Sequence, residues 1–198
     1  MNQRKYEITD IPHPRYPWLH RIRALVHVNE QVGPGALGGF VASYQNLSQE
    51  GTCWIYDQAI ACEDAVVDQD ARLYDGAVAR DSALVSGNAC MYDRSVADGH
   101  SSIFCGEMKE DARIAGNAII TGNGELCPVI AGHSNVYGNI RGWFQIREVV
   151  LPGTCYENPT ADLFILEKGQ VHVMVRQRKL EPPEGYKEKT PAKESRER

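Results

Sequence analysis

The sequence predicts an all-β fold, a left-handed parallel β-helix of hexapeptide repeats, and three observations carry that expectation. From Ala59 a small residue recurs at every sixth position, through Ala65, Ala71, Ala77, Ala83 and Ala89 to Ser95 and Ser101. Two positions after each stands an apolar residue: Ala61, Val67, Leu73, Ala79, Val85, Met91, Ala97 and Ile103. Alternation by two turns both residues inward from one short strand and leaves the residue between them outside. Each hexad then closes on a turn-forming pair such as Asp75-Gly76, Asp81-Ser82, Gly87-Asn88 or Gly99-His100. Gly, Asn and Asp tolerate the positive φ of a sharp corner. Strand and corner, three times over, make a triangular coil of about 18 residues.

Core residues one coil apart should then stack on one face and resemble each other. Ile55, Leu73 and Met91 do so on a first face, Ala61, Ala79 and Ala97 on a second, and Val67, Val85 and Ile103 on a third. An amphipathic helix would space its apolar residues by three and four, which this stretch does not. The phase slips by one residue near Glu107 and resumes as Met108, Ala112, Ile114, Ala118, Ile120, Gly124 and Leu126. A second slip, of about two residues, is expected near Pro128. Corners at Gly116-Asn117, Gly122-Asn123, Gly132-His133 and Gly138-Asn139 carry the helix to about residue 142.

The ends have a different texture. Lys5–Thr9 and Leu19–Val28 read as strands around the Pro-rich Ile11–Trp18, a cap of the kind a solenoid needs because its terminal core would otherwise face water. Leu163–Leu166 and Val171–Val175 flank Glu167-Lys168-Gly169-Gln170, a hairpin signal. From Glu181 onward five Lys/Arg balance five Glu beside three Pro, with almost nothing apolar, a composition expected to be disordered. The expected organisation is an N-terminal β cap over 1–31, the β-helix over 32–144, a C-terminal β-hairpin extension over 145–180 and a disordered tail over 181–198.

Composition bounds the function. The net charge is -5 and no Lys/Arg run interrupts the repeats, so a nucleic-acid polymer is not an expected partner. No apolar region follows Arg4 and Lys5, and no run approaches the roughly 18 apolar residues of a membrane span, so a cytoplasmic protein without membrane contact is expected. The six cysteines include no C-x-x-C and read as reduced, mostly buried thiols, with no metal implied.

One stretch is more specific than the hexads. Gly38-Gly39-Phe40-Val41, Leu47-Ser48-Gln49-Glu50-Gly51 and Cys53-Trp54-Ile55-Tyr56-Asp57 make Val32–Ala59 resemble the YdcK-type hexapeptide-repeat proteins. The resemblance implies a left-handed β-helix and a homotrimer. Members are often labelled transferases, but no catalytic residue carries over from them.

Two other hexapeptide-repeat groups suggest chemistry to look for. γ-Class carbonic anhydrases hold zinc with three His, two of them five residues apart, and no pair among His13, His20, His27, His100, His133 and His172 has that spacing. Acyltransferases use a His as general base beside an acyl-CoA donor. Here the candidates are His100 and His133, both at second corner positions and expected on one edge, two coils apart with Asn117 between; the plainer reading is solvent-facing turn residues. Tyr56, Tyr74 and Tyr92 are expected to stack outward with Trp54 and Arg72 beside them, either as sheet support or as a platform for a planar ligand. Ile60, Val78 and Val96 form an outward aliphatic column, and Val66 and Leu84 another, expected to be a homotypic interface. The leading expectation is a non-catalytic oligomeric binding module that captures a small metabolite or nucleotide at subunit clefts and carries no cofactor. The alternatives are an acyltransferase using acetyl-CoA or another acyl-CoA, and a purely structural assembly role.

Overall fold

A six-residue period leaves room only for a short strand and a corner, and the computed structural model, which describes residues 4–176, is built that way. From Trp54–Ile55 through Arg113–Ile114 every strand is two residues long, and its second residue points into the core. The strands stack in parallel on three sheets. Ile55 pairs with Leu73 and Leu73 with Met91 on the first face, Ala61 with Ala79 and Ala79 with Ala97 on the second, and Val67 with Val85 and Val85 with Ile103 on the third. The result is the expected all-β parallel β-helix, with coils of about 18 residues and about 7 turns. All nine of these side chains are at most 1% exposed, as are the small residues from Ala59 to Ser101 that precede them.

The first residue of each regular corner pair adopts positive φ, whereas Gly122 and Gly138, first in the expected pairs Gly122-Asn123 and Gly138-Asn139, do not. Asp57, Glu63, Gln69, Asp75, Asp81, Asp93 and Glu110 lie between 49° and 62°, a conformation that costs an L residue roughly 1–2 kcal/mol. Carboxylates at these positions bind the next coil and offset part of that cost. The Asp81 and Gly99 N–H groups donate to Glu63 Oε2 at 2.6 Å and Asp81 Oδ2 at 2.8 Å. On the neighbouring edge the Asp93 and Glu110 N–H groups donate to Asp75 Oδ2 at 3.2 Å and Asp93 Oδ2 at 2.8 Å.

The first slip occurs where expected, since Met91 pairs with Met108. The second inserts four residues rather than about two, because Met108 pairs with Ile130. Leu126 is therefore not a core residue. It closes a small loop through a bridge to Asn123, and Ile130, 1% exposed, takes the core position instead. A proline at 128 has no N–H to give the ladder, and the chain absorbs the surplus outside the coil.

Tyr6–Pro12 and His20–Ala24 form an antiparallel hairpin that joins the second face through Leu37–Val41. The cap works by satisfying the polar groups of the first coil as well as covering its core. Tyr6 Oη donates to Leu47 O at 2.7 Å, and buried Lys5 donates through Nζ to Glu50 O and Cys53 O, both at 3.1 Å. Gly38 and Gly39 permit the close approach: a Cβ on either would stand 2.6 Å from Ile55 O or 2.4 Å from Ala59 O.

Parallel rungs continue beyond residue 144 in Phe144–Ile146, Cys155–Glu157 and Leu163–Glu167. The last of these turns at Lys168 and Gly169, both at positive φ, and returns antiparallel as Gln170–Met174, the expected hairpin. The tail over 181–198 lies outside the described residues.

Candidate functional site

The solenoid has three edges where corners stack, and side-chain chemistry gathers along them. His100 and His133 do not share one. His100 follows Ala97 of the second face and Asn117 follows Ile114 of that face, so these two stand on adjacent coils of the edge between second and third faces; His100 N–H donates to Gly116 O at 2.7 Å. His133 follows Ile130 of the first face and stands on the edge between first and second. The expectation failed because it counted a hexad from Leu126 that the loop removes.

His133 belongs to an open groove of about 670 Å³ lined by Asp75, Asp93, Arg94, Glu110 and Asp111. Arg94 grips Asp111 through Nε at 2.7 Å and Nη2 at 2.9 Å, and Asp111 Oδ2 lies 3.3 Å from His133 Nδ1. The His133 side chain is 88% exposed and that of Arg94 79%, so water screens the group and the Arg94–Asp111 pair contributes at most about 1 kcal/mol. Near His100, Asp98 is only 3% exposed and is matched by two guanidinium groups, Arg80 at 3.0 Å and Arg113 at 2.6 Å. Hydrogen bonding to Asp98 pushes the Arg113 pKa up. Sequence reasoning missed this cluster, because its members come from three coils.

The tyrosines do stack. Tyr56 and Tyr74 lie 4.4 Å apart and Tyr74 and Tyr92 4.9 Å apart, with interplanar angles of 10° and 4°. Asn29 Nδ2 donates to Tyr56 Oη at 3.0 Å at one end. Burial pushes the Tyr56 and Tyr92 hydroxyls up. Both faces of Tyr74 and one face each of Tyr56 and Tyr92 are taken by a neighbouring ring, which favours sheet support. Arg72 is half-buried beside them. Trp54 is not part of an outward platform: it is 1% exposed because the cap covers it, with the Tyr6 ring edge-on at 6.2 Å.

The second face is also changed by the cap. Ile60 is not an exposed interface residue but is 8% accessible, packed with Leu19, Phe40 and Cys62. The segment between the first two strands folds back over the outside of this face. His13 shapes it, accepting the Arg15 and Tyr16 N–H groups on Nδ1 at 3.1 Å each and stacking on Tyr16 at 5.2 Å. Burial, with Arg15 and Arg21 adding to it, lowers the His13 pKa. Beyond the segment Val78 and Val96 stay half-buried and, with Tyr16, Trp18 and Cys62, line a cleft of about 280 Å³ that has Glu63 and Arg80 at its rim. The prolines and aromatic rings of Ile11–Trp18 were the signal available in the sequence. On the third face Val66 and Leu84 are half-buried and lead down to Ile119, 44% exposed.

Among the described residues no group of three His, Cys, Asp or Glu side chains is placed to hold a metal ion. No family model matches the chain, and no curated protein matches it.

Proposed function

We propose that the chain is a non-catalytic, homotrimeric β-helix that captures a small planar metabolite or nucleotide at a cleft between copies, a reading that also places it beside the YdcK-type proteins. The observation that carries it is the cleft on the second face. Trp18 stands 54% exposed over half-buried Val78 and Val96, with Arg80 at the rim. Exposed apolar surface framed by polar groups is what a partner covers. An aromatic ring beside a guanidinium suits a planar anionic ligand, by stacking and by charge. Val78→Lys with Val96→Lys should release monomers, since ammonium groups buried without partners are unfavourable. Sedimentation velocity checks this, and a trimer that survives both lysines overturns the interface. Calorimetric titration with adenine nucleotides should show binding that Trp18→Ala abolishes.

One observation favours acyl transfer: Asp111 sits at Nδ1 of His133, the contact that orients a general base. Against it, His133 is open to water and His100 is on another edge. Purified protein should release no thiol from acetyl-CoA with amine or hydroxyl acceptors. Thiol release lost in His133→Ala would make acyl transfer the better reading.

A further inference from the structure

We propose that Cys105 and Cys127 are a modification site, a dithiol that small-molecule disulfides convert to an intrachain disulfide linking two adjacent coils. The two cysteines are far apart in sequence, and the irregular corner between third and first faces brings them together. Glu107 pairs with Val129 and Met108 with Ile130, and the two coils stay in step one residue back, since a Cβ on Gly106 would stand 2.3 Å from Pro128 O. Cys105 and Cys127 therefore occupy matching corner positions on neighbouring coils. Neighbouring strands lie about 4.8 Å apart, inside the Cα separation of roughly 4.4–6.8 Å that a disulfide requires.

The sulfur atoms also converge. A Cβ on Gly122 would stand 2.8 Å from Cys105 Sγ and 3.0 Å from Cys127 Sγ, so one point touches both, and the space a side chain at 122 would fill is the space the thiols use. Both are free thiols, Cys105 buried and Cys127 half-buried. That difference orders the reaction. The more accessible Cys127 thiolate attacks one sulfur of the small disulfide, forming a mixed disulfide and expelling one small thiolate. Cys105 thiolate then attacks Cys127 Sγ, forming the intrachain bond and expelling the second. Each cysteine proton passes to a departing thiolate, the two cysteines are oxidised and the small disulfide is reduced to two thiols. Burial, and Cys127 beside it, push the Cys105 thiol up, so the second step quickens as the pH rises. The bond closes one coil into a covalent ring and pins the loop that the Asn123–Leu126 bridge otherwise holds.

The full chain, reduced and then treated with oxidised glutathione, tests this. The intact mass should fall by two hydrogens and titratable thiols should drop from six to four. Peptide mapping should find Cys105 joined to Cys127, the melting temperature should rise by several degrees, and dithiothreitol should reverse all of it. Cys127→Ser should show none of these changes, whereas Cys155→Ser should retain them. A thiol count that stays at six, a persistent glutathione adduct on Cys127, or a bond mapped to any other pair overturns the proposal. Because mapping on the unmodified chain decides the matter, poor folding of a serine variant would leave the test intact.

Discussion

The coils from Trp54 to Ile103 and those from Cys105 to Tyr156 keep the same three inward columns, although the second changes from Ala97 to Ile114 and Val136, and differ most at their corners. In the first group each corner spends the same number of residues, and carboxylates from one coil bind the corner N–H of the next. In the second, the corner between third and first faces loses a residue in one coil and gains four in the next, and the step from Val136 to Ile140 is shortened by two, yet Met108, Ile130 and Ile146 still stack on one face. The inward positions must fit a closed interior at native density, so they tolerate little. A corner faces water and can lengthen at small cost. The unshared chemistry lies where the period breaks: the loop removes a hexad, moves His133 to another edge and sets Cys127 beside Cys105.

Substitutions can break or sharpen this contrast. The largest effect is expected at Ile130, where truncation to Ala should cost about 2–5 kcal/mol in denaturant unfolding, while Leu126→Ala should stay within about 0.5 kcal/mol. The reverse ranking would restore the uninterrupted hexad. Next comes Ala79→Leu on the regular second face, where Ala61, Ala79 and Ala97 leave no room and overpacking should cost about 1–3 kcal/mol; an unchanged melting temperature would show a looser interior than the stacking implies. His100→Ala should remain folded and lie within about 0.5 kcal/mol of the parent by the same measurement.

The smallest expected effect is electrostatic. The Gly99 N–H bound to Asp81 holds that carboxyl below the usual aspartate range. A folded pKa depressed in this way contributes stability above the ordinary value of about 3.9 and loses it as the pH falls through the lower folded value. Asp81→Asn should therefore flatten the fall in melting temperature below about pH 4 while changing little at neutral pH. Equal acid sensitivity in both proteins would mean that the corner carboxylates do not bind the coils together.

The period-six pattern by itself determined the solenoid, its three core columns and the first slip, and the Gly-containing loop between two strand runs determined the terminal hairpin at Lys168-Gly169, because inward packing and positive-φ turns place strong demands on residue type. Residue type at Ala79 or Asp75 is a local consequence of where the chain must turn or close. The outward Tyr56, Tyr74 and Tyr92 stack was legible from its one-coil spacing, but which outward residues meet under the cap or across irregular corners was decided only by the tertiary structure. Trp54 and Ile60 read as surface until the N-terminal segment folds over them. Asp98 collects Arg80 and Arg113 from other coils, and Cys105 finds Cys127 only after a loop of surplus residues is set aside. Such contacts depend on the summed length of every corner between the partners, so one miscounted residue moves a side chain to another position and a whole hexad moves it to another edge.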